Sequence, residues 1–126
     1  MMSHYIATGL GGAIGAIIRV AIGKILPLTI MGVPFYILGV NILGCFVMGF
    51  LTELMALHWA VPDNIRYFLI AGVLGGFTTF SAFALEFGLL CEKNQYAIAV
   101  TYATLSFALT ILAFFVGVVI VRIFSN

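Results

Sequence analysis

The sequence predicts an all-α membrane protein of four transmembrane helices per subunit, with the third helix broken mid-membrane and two subunits paired antiparallel. Three observations carry the four spans and the break, and the loop charges taken up below carry the pairing. The chain is 64% hydrophobic and only 7% charged, with a mean hydropathy of +1.29, whereas soluble domains carry about 25% charged residues. Its apolar residues fall into four segments of the ~20 residues that a helix needs to cross hydrocarbon. Inside the third, Gly72 to Glu86 reads G-V-L-G-G-F-T-T-F-S-A-F-A-L-E, which is poor helix material. Glycine costs about 1 kcal/mol against alanine in a helix, and threonine loses rotamer freedom there. A break over Gly75, Gly76, Thr78 and Thr79 is therefore expected. Freed N–H and C=O groups are tolerated at membrane depth only where they line a cavity, meet protein or hold an ion.

The first span is read over residues 5–26. It is rich in small residues, and Gly11 and Gly15 have the GxxxG spacing that lets another backbone approach closely. Met1 to Tyr5 carries no positive n-region and no convincing cleavage site follows, so the first helix is expected to stay. Pro27 and Pro34 bracket a loop holding Thr29 and Gly32, and the second span covers 35–57. Its strongly polar interior residue is Asn41, flanked by Gly39 and Gly44. A buried asparagine must find partners, either on a neighbouring helix or on a permeating species.

His58, Trp59, Pro62, Asp63 and Asn64 read as an interfacial loop, with Trp59 suited to the headgroup level and His58 exposed. The third span covers 65–90 and ends in the hydrophilic turn Glu92 to Gln95. The fourth, 96–121, carries no charge. On it Tyr102, Ser106 and Thr110 recur at i, i+4 and i+8, one helical face. Any single hydroxyl in a membrane helix bonds back to its own carbonyls; three in register read as a polar track.

Charge excludes several functions. With Lys and Arg totalling 5 and Asp and Glu 4, the net charge is +1, and no basic stripe is present for nucleic acid. Cys45 and Cys91 suit small buried side chains rather than a disulfide framework or metal centre, and no nucleophile, base and orienting group suggest an enzyme. Four spans place Arg66 and Arg122 on one side and Lys24 and Lys93 on the other, with Arg19 leaning to the second. So weak a positive-inside bias predicts insertion in both orientations, which permits an antiparallel homodimer with its twofold axis in the membrane plane.

The run Gly75-Gly76-Phe77-Thr78-Thr79-Phe80-Ser81-Ala82-Phe83 resembles the signature of the Fluc (CrcB) fluoride channels, small bacterial proteins built as antiparallel dimers of four-helix subunits. Arg19, Asn41 and the hydroxyls of span four extend the likeness along the chain. The family often has threonine where Ala82 stands. The resemblance implies a passive fluoride-selective channel in the bacterial inner membrane, with two pores per dimer that relieve fluoride toxicity. It assigns Asn41, Phe80, Ser81, Phe83, Tyr102, Ser106 and Thr110 to the anion path. It also assigns the backbone carbonyls of Gly75 and Thr78, from both subunits, to a central structural sodium ion. Arg19 corresponds to a vestibule or structural arginine; from the residues alone it either steers anions or snorkels. Glu86 is either part of an ion pathway or an interfacial acid. A small dual-orientation proton-coupled drug exporter is the competing expectation, but such exporters resemble a pattern with a carboxylate in the first span, which this chain lacks.

Overall fold

Four helical stretches, Met2–Ile25, Tyr36–Leu57, Asp63–Glu92 and Tyr96–Phe124, are each long and apolar enough to cross a membrane. They belong to a computed structural model that describes residues 1–26, 29–30 and 33–125. The elements in order are α1 (Met2–Ile25), the strands β1 (Thr29–Ile30) and β2 (Val33–Pro34), and α2 (Phe35–Leu57). The third span is composite: α3 (Asp63–Arg66), a π-wound stretch (Tyr67–Leu74), α4 (Gly75–Phe77) and, past a gap, α5 (Phe80–Glu92). The chain ends with α6 (Tyr96–Phe124). The antiparallel β1–β2 pair, Thr29 opposite Pro34 and Ile30 opposite Val33, is a small departure from an all-helical chain. Pro27 and Gly32, placed by the sequence in this loop, lie outside the described residues.

Only 11% to 28% of the most apolar window of each span is buried within the chain. A water-soluble bundle would turn those faces inward; here Ile17, Leu85, Phe107 and Phe115 are exposed. Such a surface is matched to lipid and to other protein, and the molecule is a multi-pass membrane protein. α6 has 29 residues, about 43 Å at 1.5 Å each, so it must tilt or protrude from a ~30 Å core.

Two helix pairs form the body. α1 packs along the π-wound stretch and α4, while α2 packs along α6. Small residues set both crossings. An added Cβ on Gly76 would lie 2.5 Å from the Gly12 carbonyl oxygen, one on Gly72 2.8 Å from that of Thr8, and one on Gly15 would overlap the Val73 carbonyl. On the other pair, a Cβ on Gly49 would overlap the Phe114 carbonyl, and one on Gly117 that of Phe46. Beyond the gap, α5 leaves α1 and packs on α6. There Leu38, Phe83, Leu90, Ala99 and Tyr102 form the buried apolar cluster. At the ends of α2 and α6, Arg122 pairs with Glu53 at 2.5 Å and His58 Nε2 lies 2.5 Å from Ser125 Oγ.

The break lies later than the glycines suggest. Gly75 is helical, at φ −63 and ψ −37, and so is Gly76 within α4. The extended residues are Thr78, at φ −83 and ψ 152, and Thr79, at φ −151 and ψ 122. A glycine's helix penalty of about 1 kcal/mol is outweighed where the missing Cβ admits a neighbouring backbone, as at Gly76. The β-branched threonines suit the extended form and find partners there. The π-winding of Tyr67–Leu74 was not anticipated from the sequence. It ends with the Gly75 N–H donating to the Ile70 carbonyl, five residues back, and has no separate signal in an apolar run.

Because α1 touches the third span through backbone, Gly15→Ala should lower stability by about 1–3 kcal/mol. Gly9→Ala, where an added Cβ has nothing within 4 Å, should be neutral or gain up to about 1 kcal/mol from helix propensity. Thermal unfolding in detergent compares the two.

Candidate functional site: a helix break beside a polar-lined cavity

Several of the backbone groups freed at the break have a traceable fate. The Thr78 N–H and hydroxyl both donate to the Leu74 carbonyl, at 3.0 and 2.9 Å, which closes α4. The Thr79 N–H donates to Asn41 Oδ1 at 2.8 Å, and the Thr79 carbonyl accepts from Asn41 Nδ2 at 3.0 Å. Thr79 Oγ1 accepts from the Ala82 N–H at 3.1 Å, the side-chain cap that starts α5. It also lies 3.2 Å from Ser81 Oγ. The Gly76 carbonyl accepts from Arg19 Nε at 3.2 Å, so Arg19 ties α1 to the break.

Among the carbonyls left over are those of Gly75 and Thr78. In an unbroken helix the Gly75 carbonyl would accept from the Thr79 N–H and the Thr78 carbonyl from the Ala82 N–H. Both donors are committed elsewhere, to Asn41 and to Thr79 Oγ1. Gly75 is exposed and Thr78 half-buried. Unpaired carbonyl oxygens are hard ligands that suit an alkali cation, so these two residues fit sodium on their own chemistry. No group of three or more His, Cys, Asp or Glu side chains is gathered among the described residues.

Beside the break lies a cavity of about 280 Å³ lined by Asn41, Cys45, Thr78, Thr79, Phe80, Phe83, Ser106, Phe107, Thr110 and Ile111. It brings together Asn41, Phe80, Phe83, Ser106 and Thr110 from three spans. The Phe80 and Phe83 rings are 5.3 Å apart, and Phe83 lies 5.4 Å from the Tyr102 ring. Tyr102 does not line the cavity: it is buried against Phe83, and its hydroxyl has no hydrogen-bond partner among the described residues. Ser81 is exposed and also outside the lining, and Phe80 is 69% exposed. Thr110 donates its hydroxyl proton to the Ser106 carbonyl at 2.5 Å, so it offers the cavity an acceptor in this arrangement. Among the described residues Ser106 makes no such bond, and its hydroxyl is free to donate. Glu86 is half-buried on α5 without an ion pair among the described residues.

Thr79, Cys45, Phe107 and Ile111 were not singled out as lining residues by the sequence. Cys45 follows Asn41 by one turn, and Phe107 and Ile111 follow Ser106 and Thr110 by one residue each, so helical spacing from the polar positions would have pointed to them. Thr79 was read as a helix breaker only, because a threonine's partners on another span are not encoded nearby.

A multi-pass helical protein with a small cavity lined by polar side chains and phenylalanine rings, set at an unwound turn, has the makings of a site for a small ion. The comparisons agree in class. The family described as CrcB-like protein, Camphor Resistance (CrcB), matches residues 6–118, and the chain belongs to it. A protein of Chelativorans sp. strain BNC1 named fluoride-specific ion channel FluC is 42% identical over 96% of this chain and 98% of its own length. One of Rhizobium meliloti strain 1021 with the same name is 38% identical over 96% and 98%. One of Helicobacter pylori strain 26695, also so named, is 43% identical over 79% and 78%.

Proposed function

We propose that this chain is the subunit of a fluoride-selective channel that lets fluoride leave a bacterial cell across its inner membrane, passively, and so limits fluoride toxicity. The observation that carries the reading is the cavity at the break, where Asn41, Phe80, Phe83 and Ser106 meet in a chain whose relatives are named fluoride-specific channels. Fluoride is small and strongly hydrated, so a pore must return donors for the water it strips. Ser106 supplies a hydroxyl and Asn41 an amide N–H. The edge of a phenylalanine ring is the positive part of its quadrupole and weakly attracts an anion. Modest contacts in series suit conduction, which needs binding that admits the ion and also releases it. Ser81, Tyr102 and Thr110 continue the path in this reading, Tyr102 after its ring or that of Phe83 shifts.

Two subunits complete the channel. Gly75, Phe80 and Ser81 are exposed at the break of a single chain, where lipid is a poor partner for freed carbonyls, and the near balance of Arg66 and Arg122 against Lys24 and Lys93 permits opposed insertion. We take the partner to be a second, antiparallel copy, with a pore on each side of the interface. The Gly75 and Thr78 carbonyls of both copies would hold sodium, which supplies positive charge to offset their exposure. Arg19 serves as a structural anchor through Gly76, and Glu86 stays at the pathway's flank. The exporter reading lacks its carboxylate, since Met2–Ile25 contains neither Asp nor Glu.

Reconstituted in liposomes with a fluoride electrode, the chain should give valinomycin-dependent fluoride efflux with no proton requirement. Phe80→Ile and Phe83→Ile should each lower the flux at least about tenfold, equal to 1.4 kcal/mol; parental flux in both would remove these rings from the path. Lys93→Cys should react with impermeant maleimide from both sides of the membrane, and labelling from one side only would exclude the antiparallel pair. Verified replacement of sodium by a bulky organic cation should lower both flux and the dimer's thermal stability. An unchanged dimer and unchanged flux would count against the sodium site.

A further inference from the structure

Asn41 and Thr79 are 38 residues apart and lie on different spans, yet they meet through two hydrogen bonds at once. The carboxamide oxygen takes the Thr79 N–H and the carboxamide nitrogen gives to the Thr79 carbonyl. This is the exchange that paired residues make in an antiparallel ladder, with a side chain in place of one backbone. Reversing the amide would set N–H against N–H and oxygen against oxygen, so the orientation follows from the partners. We infer that Asn41 is a positioning residue: its carboxamide stands in for a peptide group, holds Thr79 extended, and thereby keeps the break open in the form that lines the cavity.

The consequences follow from the donor count. With Thr79 N–H engaged by Asn41, the Gly75 carbonyl is released from the helix. With Thr79 extended, its Oγ1 reaches the Ala82 N–H, starts α5 at Phe80 and releases the Thr78 carbonyl. Without Asn41 the Thr79 N–H would be unpaired in an apolar setting, and the Thr79 carbonyl would keep only the first bond of α5, which favours collapse of the gap toward continuous helix. One hydrogen of Asn41 Nδ2 is spent on Thr79; only the second is available to an ion. The residue's main task is therefore to shape the path, with donation to fluoride secondary.

The inference rests on the channel reading for its flux measurement but not for its exchange measurement. Asn41→Asp separates the two roles. A protonated carboxyl repeats both bonds, its O–H donating to the Thr79 carbonyl and its C=O accepting the Thr79 N–H, but has no second hydrogen for an anion. A carboxylate sets negative charge against the Thr79 carbonyl. Asn41→Asp should thus conduct at acidic pH and lose at least about tenfold of that flux at alkaline pH, read as valinomycin-dependent efflux so that electroneutral acid leak is excluded. Tyr36 and Cys45 on α2, Arg19 on α1, Glu86 on α5 and Tyr102 on α6 are the titratable groups nearest in sequence or contact to the site; His4, Tyr5 and Lys24 on α1, Glu53 on α2, Cys91 and Glu92 on α5, and Tyr96 and Arg122 on α6 lie further along the same elements, and the ratio to the parent at each pH removes the contribution of all of them. Asn41→Gln keeps an anion donor but overshoots Thr79 by a methylene, and should conduct at least about tenfold less than the parent. In hydrogen exchange, Asn41→Ala should speed the Thr79 amide at least about tenfold and leave the amides of α1 unchanged.

Silence of Asn41→Asp at every pH, in protein that elutes and is protected like the parent, would overturn the inference, as would parental flux in Asn41→Gln. If the Asp variant does not fold, the Thr79 amide decides: unchanged exchange in Asn41→Ala refutes the clamp. If the parent passes no fluoride, the channel reading fails and the same amide measurement judges the clamp alone.

Discussion

A polar backbone cannot be left bare in hydrocarbon, and the break at Thr78–Thr79 is where this chain meets that constraint most directly. Interrupting a helix for two residues strands several N–H and C=O groups, each costing several kcal/mol if unpaired. Asn41, Arg19 and the Thr79 hydroxyl take up part of that load from two other spans and from α5 itself. The contacts that make the break affordable also gather the cavity, because each ties a different helix to the same turn. Asn41 brings α2, Arg19 brings α1, and the cap at Thr79 sets the direction in which α5 carries Phe83 onto α6.

The break also explains the change of company along the third span. Up to Phe77 the span lies on α1, through glycines that permit backbone contact; from Phe80 it lies on α6, through aromatic rings. A straight helix could not serve both neighbours with faces so different. Backbone-to-backbone contact gives the first half a fixed position, and ring packing against Tyr102 gives the second half a fixed rotation. The cavity opens where the break and the start of α5 meet α2 and α6.

Much of this was legible in the sequence, and the limits were physical. Four apolar segments with few charges left little choice of class, since any other arrangement would expose them to water. The hydroxyl register on α6 and the lone Asn41 in an apolar helix pointed to Asn41, Ser106 and Thr110, which the fold brings to one cavity, because helical period converts directly into a face. The break expected over Gly75 to Thr79 is confined to its threonines: glycine signals both helix weakness and close packing, and only the neighbour decides which. Gly76 meets Gly12, so it stays helical. Tyr102 was read as part of the track by its period, but period gives a face and not a depth, and Tyr102 is buried against Phe83 outside the cavity lining. The pairing of Asn41 with Thr79 was beyond reach, as nothing in either local sequence names the other.

The depth of the break bears on how a second copy could fit. Thr78–Thr79 falls near the middle of the Asp63–Glu92 span. A twofold axis lying in the membrane plane maps the midplane onto itself and exchanges the two surfaces. A feature at either end of a span would therefore be carried far from its copy, whereas one at mid-span can face its copy directly. The proposed antiparallel pair thus requires the freed carbonyls to sit where the chain puts them. It also requires the weak charge bias of the loops, because a strongly oriented chain would never supply the inverted partner. Mid-span unwinding and balanced loop charge are unrelated as sequence features, yet the same symmetry demands both.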